Sequence, residues 1–186
     1  FMIRQFQQAE DAGCIAVCTD IDGAGLALVQ GQDNPVGPKS VKELSQVINS
    51  VKIPVLIKGI MTPQAARKCI DAGAYGIVIS THGGRVQDQT PAPVEMLEAI
   101  ADVAKGKIKI LIDGAIRTGV DIFKVIGLGA DGALIGRPYP IAAYGGGQEG
   151  IEFYNKMIGA QFREAMMMTG AARIADIDKN KLFISK

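Results

Sequence analysis

The sequence predicts an α/β fold, and within that class a (β/α)8 TIM barrel, from three features of the 186-residue chain. Short β-branched runs, typical of buried strands, alternate with segments whose apolar residues have helical spacing. The strand-then-helix unit repeats about every 25–35 residues, which requires parallel strands joined by helical crossovers. Polar residues and glycines follow the C-terminal end of nearly every strand, where a barrel forms its active site. A doubly wound sheet binds ligands at the same end, but no GxGxxG motif follows the first strand, so the barrel is favoured.

The predicted elements follow an N-terminal segment of helical character, residues 1–13, that leads directly into the first strand. Strands are predicted over 14–20, 53–60, 75–80, 107–114 and 131–137. Helices are predicted over 40–51, 63–72, 91–105, 118–128 and 153–170. The helix starts are marked by Ser40, by Thr62 before Pro63, and by Thr90 before Pro91.

Composition and charge exclude several classes of function. Hydrophobic residues make up 48% of the chain, charged residues 21%, and the net charge is +1, which favours a globular protein and argues against a nucleic-acid partner. No apolar run reaches the roughly 18–20 residues that span a bilayer, so no membrane partner is expected. Cys14, Cys18 and Cys69 form neither a CxxC pair nor an even framework, which favours a reducing, cytoplasmic location. Cys14 and Cys18 are spaced to be metal ligands, but they flank an apolar run and are interpreted as packing residues.

His82 is the only histidine, and it follows the third predicted strand. A lone histidine is more often structural than functional, but this one is followed by Gly83, Gly84 and Arg85. Glycines let the backbone approach a ligand closely, and the guanidinium fork of arginine suits a carboxylate. A titratable base beside a carboxylate anchor predicts proton abstraction from an anionic substrate.

The ends of the last two strands predict a phosphate site. The segments 113–117 (DGAIR) and 136–137 (GR) combine glycine amides with arginine, at the position where barrels often bind phosphate. The alternative is a pair of ordinary loops with solvated arginines.

Lys58 ends an apolar strand, so its ammonium needs a partner or the barrel mouth, and it is a candidate to stabilise negative charge on a cofactor. Asp20 ends the first strand and is a candidate to orient His82 and stabilise its imidazolium.

Three motifs, taken together, resemble a known family. The segment STHGGR at 80–85, followed by Asp88 and PAPVEML, is similar to the SNHGGR segment of FMN-dependent 2-hydroxy-acid oxidases and dehydrogenases, which include glycolate oxidase and lactate oxidase. IPVLIKGI at 53–60 resembles the strand with the family's flavin-contacting lysine, and 113–138 resembles its phosphate-binding end. The resemblance extends from about residue 5 to residue 178.

The resemblance implies roles for individual residues. His82 corresponds to the catalytic base, Asp20 to the aspartate that pairs with it, and Arg85 to the arginine that binds the substrate carboxylate. The implied FMN contacts are Cys18, Lys58, Ser80, Asp113, Gly114, Ala115, Ile116, Arg117, Gly136 and Arg137. Cys18 replaces the usual Thr and Ala115 a Gly, and Ala27 lies near the position of an arginine that contacts substrate in the family.

The resemblance further implies that 14–137 supplies strands four to eight of the barrel, so that 1–186 is the C-terminal portion of a single FMN-binding domain. The expected partners are then a small 2-hydroxy acid, the missing N-terminal half of the barrel, and further copies in a homo-oligomer, because open sheet edges pair with other strands. The predicted activity is oxidation of a 2-hydroxy acid to a 2-oxo acid, with two electrons passing to FMN. Two alternatives stay open: a catalytically incomplete barrel fragment that binds phosphate or partner strands only, and a flavin-dependent isopentenyl-diphosphate isomerase, against which the HGGR motif argues.

Overall fold

The computed structural model describes residues 1–25 and 37–184, and its centre is a single parallel sheet of five strands. The strands are β1 (Val17–Asp20), β2 (Val55–Ile60), β3 (Gly76–Ile79), β4 (Lys109–Ile112) and β5 (Gly132–Ala133). They lie side by side in chain order, and each neighbouring pair is parallel. The predicted α/β class with helical crossovers is therefore confirmed.

In the described residues, six α-helices lie before, between and after these strands. They are α1 (Met2–Asp11), α2 (Val41–Ile48), α3 (Pro63–Asp71), α4 (Pro93–Ala104), α5 (Gly119–Gly127) and α6 (Pro138–Met168). Ser40 begins α2 as predicted, because its hydroxyl accepts from the Glu43 N–H at 3.2 Å while the Glu43 carboxylate accepts from the Ser40 N–H at 2.7 Å. Thr62 begins α3 as predicted, with its hydroxyl accepting from the Ala65 N–H at 3.1 Å.

Several predicted boundaries are wrong. Helix α4 begins at Pro93 rather than at Thr90-Pro91, since the Glu95 carboxylate takes the free N–H of Ala92 at 2.5 Å. The first strand begins at Val17 and the last shrinks to two residues. The last helix begins at Pro138, not at 153, because proline suits the first helical turn. It is interrupted at Gly146 and Gly147, the latter with a φ of 55°.

The main core lies between the sheet and the helices. Its fully buried side chains come mainly from β2, β3, β4 and α4, and include Ile57, Ile77, Ile79, Leu97, Ile100, Ile110 and Ile112. All four residues of β3 are buried, which fixes the point at which the chain leaves the sheet before residues 80–85. Within 1–25 and 37–184, no helix combines the length and hydropathy that a bilayer-spanning segment requires.

Candidate active site

The carboxyl ends of β2 to β5 surround a cavity of about 390 Å³. Lys58 of β2 lines it, and the other lining residues come from the three segments that follow β3, β4 and β5: His82, Gly83, Arg85, Asp113, Gly114, Ala115, Ile116, Arg117, Leu134, Gly136, Arg137 and Pro138. Because parallel strands all end at the same edge, residues far apart in sequence meet there. The structure thus brings together most of the site residues predicted from the sequence.

The carboxylate in contact with His82 belongs to Asp22, so the pairing with Asp20 predicted from the sequence is wrong. Asp22 Oδ1 lies 3.2 Å from His82 Nδ1, and both side chains are largely buried, with 11% and 18% of their surfaces exposed. Asp20 ends β1 in register with Lys58 on β2, and its Oδ1 accepts from Lys58 Nζ at 2.8 Å. Asp22 lies beyond the strand in a 3₁₀ turn, Asp22–Gly25, from which it reaches past β2 to the loop that follows β3. When Nδ1–H donates to Asp22, the Nε2 lone pair of His82 stays free to accept a proton.

The loop that carries His82 has an unusual backbone. His82 has a φ of 55°, and Gly83 and Gly84 follow with φ of 70° and 76°. A left-handed conformation is unfavourable for a residue with a side chain, so surrounding contacts must hold it. The Ser80 hydroxyl accepts from the His82 N–H at 3.0 Å, and the Thr81 carbonyl accepts from the Gly84 N–H at 3.0 Å.

Two predicted flavin contacts lie apart from the cavity lining. Ser80 is buried, with 1% of its surface exposed, and supports the His82 backbone rather than lining the cavity. Cys18 lies on the edge strand β1, two residues before Asp20, and is exposed, as is Cys14. The interpretation of Cys14 and Cys18 as packing residues is therefore wrong for the described part of the chain, in which both side chains are exposed.

Lys58 and Arg85 place positive charge at the cavity. Burial lowers the pKa of Lys58. The hydrogen bond and charge of Asp20 and the charges of Asp22 and Asp113 together raise the pKa by more than burial lowers it, so the net shift is upward. The ammonium therefore stays charged at neutral pH. Arg85 Nε donates to the His82 carbonyl oxygen at 3.0 Å, which ties the guanidinium to the loop of the candidate base.

The segment after β4 carries a buried oxygen atom that suits a polar ligand. Asp113 Oδ1 is buried and has no hydrogen-bond partner among the described residues, so a ligand hydroxyl at this point would satisfy it. Ala115 has a φ of 59°, a backbone conformation that glycine adopts easily. Glycine is the usual residue at this position in the family that the sequence resembles. Gly83 lies beside Arg137, since a Cβ on Gly83 would be 3.5 Å from the Arg137 Nη2.

Tyr154 is a site residue that the sequence analysis missed. Its hydroxyl donates to the Arg117 carbonyl oxygen at 2.9 Å, so α6 holds the loop after β4. Its ring packs edge-on against Tyr139, with centroids 5.2 Å apart. An aromatic residue at helical spacing is typical of the core, and the sequence therefore carries no signal for this role.

The cavity fits FMN better than it fits a metal ion. Asp20, Asp22 and His82 each offer one ligand atom within 4.8 Å of the others, but the Lys58 ammonium already neutralises Asp20. For FMN, Arg117 and Arg137 lie at the two strand ends that suit a phosphate, and the buried Asp113 oxygen suits a hydroxyl of the ribityl chain. Lys58 adds a positive charge to the lining of the same cavity.

A parallel sheet with helical crossovers and a cavity at its carboxyl edge, lined among others by Lys58, Arg85, Arg117 and Arg137, defines the class of this protein, and comparisons give the family. The sequence profile of a family described as FMN-dependent dehydrogenase matches residues 27–184, so the chain belongs to that family. A peroxisomal (S)-2-hydroxyacid oxidase of Arabidopsis thaliana is 38% identical over 141 residues, covering 76% of this chain and 39% of the relative. An L-lactate dehydrogenase of Yersinia pestis (strain Pestoides F) is 43% identical over 147 residues, covering 79% and 39%.

Solved structures show the same relationship. Mandelate oxidase with 3,3-difluoro-2-hydroxy-3-phenylpropionic acid superposes with a TM-score of 0.86 and 32% identity, over 95% of this chain and 57% of the other. A mandelate oxidase variant with a monooxide FMN adduct superposes with a TM-score of 0.83 and 33% identity, over 93% and 56%. The five strands thus correspond to part of a (β/α)8 barrel. The chain spans 39% of the length of the two curated relatives above. Ala27, near the position of a substrate-contacting arginine, lies outside the described residues.

Proposed function

We propose that this chain carries the base, the carboxylate-binding arginine and the FMN phosphate site of an enzyme that oxidises 2-hydroxy acids to 2-oxo acids. The observation that supports this most directly is the Asp22–His82 contact at the edge of a cavity that also holds Arg85 and Lys58. A purely structural histidine does not need a buried carboxylate partner beside an open cavity. The names of the matched relatives point to the same class of substrate, a carboxylic acid with a hydroxyl on the α-carbon.

In this mechanism the substrate carboxylate pairs with the Arg85 guanidinium, whose position is fixed by its bond to the His82 carbonyl. His82 Nε2 then takes a proton from the substrate as the C–O single bond becomes a double bond. Asp22 keeps the imidazole in the required tautomer and stabilises the positive charge that the ring acquires. FMN, when bound, supplies the acceptor for the two electrons of the oxidation, and the second hydrogen that the substrate loses leaves with those electrons or as a second proton.

The cofactor is proposed to lie along the strand ends. Arg117, Gly136 and Arg137 would bind the phosphate, and Asp113 to Ile116 the ribityl chain. Lys58, whose raised pKa keeps its ammonium charged at neutral pH, would stabilise negative charge at one edge of the ring system. Cys18 and Ser80 are kept as proposed contacts, Cys18 from the exposed face of β1 and Ser80 through the backbone that it supports.

We further propose that residues 1–186 act as the C-terminal portion of a single barrel domain whose other strands close the sheet. The coverage of the mandelate oxidase chain, 57%, supports this arrangement. Association into a homo-oligomer is part of the same proposal.

The proposed compartment is the cytoplasm because all three cysteines are free, although one relative is named peroxisomal. Fluorescence microscopy of a tagged protein tests the compartment.

The test of the proposed function is His82→Gln in the FMN-loaded protein. This variant should keep FMN bound but reduce it with a 2-hydroxy acid about 10²–10⁴-fold more slowly, the usual cost of losing a positioned base. Stopped-flow absorbance of the flavin measures the rate. Asp88→Asn, an exposed change on the same loop, is the matched control and should leave the rate unchanged.

A rate within tenfold of the wild type in His82→Gln would remove His82 from the role of base. Absence of any flavin reduction in the wild-type protein, with lactate, glycolate and mandelate each tried, would instead favour the incomplete-barrel alternative.

A further inference from the structure

Gly59 is the last residue but one of β2, and it occupies an irregular point of the sheet. The register between β2 and β3 shifts between Lys58 and Ile60, which leaves Gly59 as the extra residue of a bulge. Its φ of 95° is one that residues with side chains rarely adopt. Bulges of this kind occur next to active sites, where they change the direction of a side chain or of the backbone.

The space beside Gly59 is filled by Asp22. A Cβ on Gly59 would lie 2.7 Å from the Asp22 Cβ, 2.8 Å from its Cγ and 3.0 Å from its backbone nitrogen. The Asp22 side chain therefore packs directly on the Gly59 backbone, with no room for even one carbon atom between them. Any side chain at position 59 must push Asp22 away.

The position of Asp22 depends on this contact because little else fixes it. Asp22 lies in a four-residue 3₁₀ turn outside the sheet, attached to β2 by the bond from the Ile21 N–H to the Lys58 carbonyl at 3.0 Å. Its Oδ2 is buried without a hydrogen-bond partner in the described residues, and its Oδ1 faces His82 Nδ1 at 3.2 Å. A displacement of half an ångström is enough to lengthen that last contact beyond a hydrogen bond.

We propose that Gly59 is a positioning residue: its lack of a side chain seats Asp22 against His82 and thereby keeps the proton of the neutral imidazole on Nδ1. The catalytic effect of Gly59 rests on the proposed function, because it requires His82 to be the base. Its effect on the imidazole tautomer does not rest on that function. Gly59 touches neither the substrate nor the imidazole, and it acts only through Asp22.

The test uses the fact that His82 is the only histidine of the chain. In protein labelled with ¹⁵N-histidine, the two imidazole nitrogens give one pair of signals whose shifts report the tautomer. We expect the wild-type protein, in the neutral-imidazole range, to hold the Nδ1–H form predominantly. Gly59→Ala should lower the ratio of the Nδ1–H to the Nε2–H form at least fivefold, and Asp22→Ala should do the same. The measurement needs neither FMN nor turnover, so it can fail while the proposed function holds.

Gly73→Ala is the matched control. Gly73 has a φ of 85°, close to that of Gly59, but a Cβ there meets nothing within 4 Å. It therefore carries the same backbone strain without the collision, and the tautomer ratio should stay at the wild-type value. In the FMN-loaded protein, Gly59→Ala should also lower kcat at least tenfold, with KM changed less than threefold because Arg85 is untouched. Gly73→Ala should leave both unchanged.

A folded Gly59→Ala protein with the wild-type tautomer ratio would overturn the proposal, as would an unchanged ratio in Asp22→Ala. If Gly59→Ala does not fold, the double variant Gly59→Ala with Asp22→Gly must be more stable than Gly59→Ala alone, since the colliding Cβ and Cγ are then gone and only the backbone strain and the approach to the backbone nitrogen of residue 22 remain. Failure of that rescue would likewise overturn it.

Discussion

Backbone strain in this chain is concentrated at the cavity. Three non-glycine residues of the described part have a positive φ: His82, Gln89 and Ala115. Two of them, His82 and Ala115, line the cavity. Each such residue costs about 1–3 kcal/mol, and it persists only where neighbouring contacts fix it. At His82 these contacts are the hydrogen bond from the His82 N–H to the Ser80 hydroxyl and the hydrogen bond within the 81–84 turn. Holding the imidazole in this position therefore lowers the stability of the fold.

The phosphate assignment gives the prediction at this scale. Replacing Arg117 or Arg137 with alanine should weaken FMN binding by about 1.5–3 kcal/mol each, because a charge-assisted hydrogen bond to phosphate is lost. Quenching of flavin fluorescence in a titration measures the affinity. Arg67→Ala, an exposed change on α3, is the control and should have no effect. Unchanged affinity in both cavity variants would mean that the phosphate binds elsewhere.

At the scale of residues, the sequence predicts which side chains share the site where those side chains lie at the end of a strand. His82, Arg85 and Lys58 were predicted to share a site because each follows a strand end, and the structure brings them to one cavity. Their chemical roles stay predictions. Asp22 escaped prediction because it lies in a turn, separated from the end of β1 by Ile21, and turn geometry of that kind depends on tertiary packing. Asp20, which obeys the strand-end rule, pairs with Lys58 instead.

At the scale of elements, α5 packs closely against α6. A Cβ on Gly119 would lie 2.2 Å from the Phe162 backbone nitrogen and 2.3 Å from the Ile158 carbonyl oxygen. The Gly119 N–H also donates to Gln161 Oε1 at 3.0 Å. Since α5 begins directly after the 113–117 segment and α6 directly after Arg137, this contact sets the distance between the two candidate phosphate loops.

Gly119→Ala should therefore destabilise the protein by about 1–3 kcal/mol or more, because both colliding atoms belong to the backbone of α6 and cannot rotate away. Urea unfolding followed by circular dichroism measures the change in the free energy of unfolding. Gly145→Ala is the control: a Cβ there meets nothing within 4 Å, and stability should stay the same or rise. Equal stability of the two variants would show that α6 shifts easily.

Element type was predictable for this chain, whereas several element ends were not. Periodicity predicted all five strands, and the caps at Ser40 and Thr62 were confirmed because their hydrogen bonds are local. The last strand was predicted too long and the last helix too short. The predicted last helix began at 153, whereas α6 begins at Pro138 and continues on both sides of the break at Gly146 and Gly147. Local composition does not reveal a helix that packing restores after an interruption.

At the scale of the whole molecule, the sheet has two edges, β1 and β5, in the described part of the chain. Exposed apolar side chains lie next to both: Ile15, with 90% of its surface exposed, precedes β1, and Leu134, with 38% exposed, follows β5. Unpaired strand edges with apolar flanks attract other strands. The parallel order and the likeness to part of a barrel were predictable from the sequence, because strand–helix alternation leaves few other arrangements.

The 186-residue chain, expressed by itself, should therefore self-associate through these edges. Size-exclusion chromatography with light scattering should give a mass above that of one chain, rising with concentration. Ile15→Lys places a charge beside the β1 edge and should shift the equilibrium toward the monomer, because an edge charge resists strand addition. Ile174→Lys is the control, since Ile174 is also exposed but lies in a 3₁₀ turn far along the chain from either edge strand. A monomeric wild-type chain at all concentrations would show that the open edges are tolerated in water. Equal effects of the two lysine variants would assign the association to general surface hydrophobicity instead of the β1 edge.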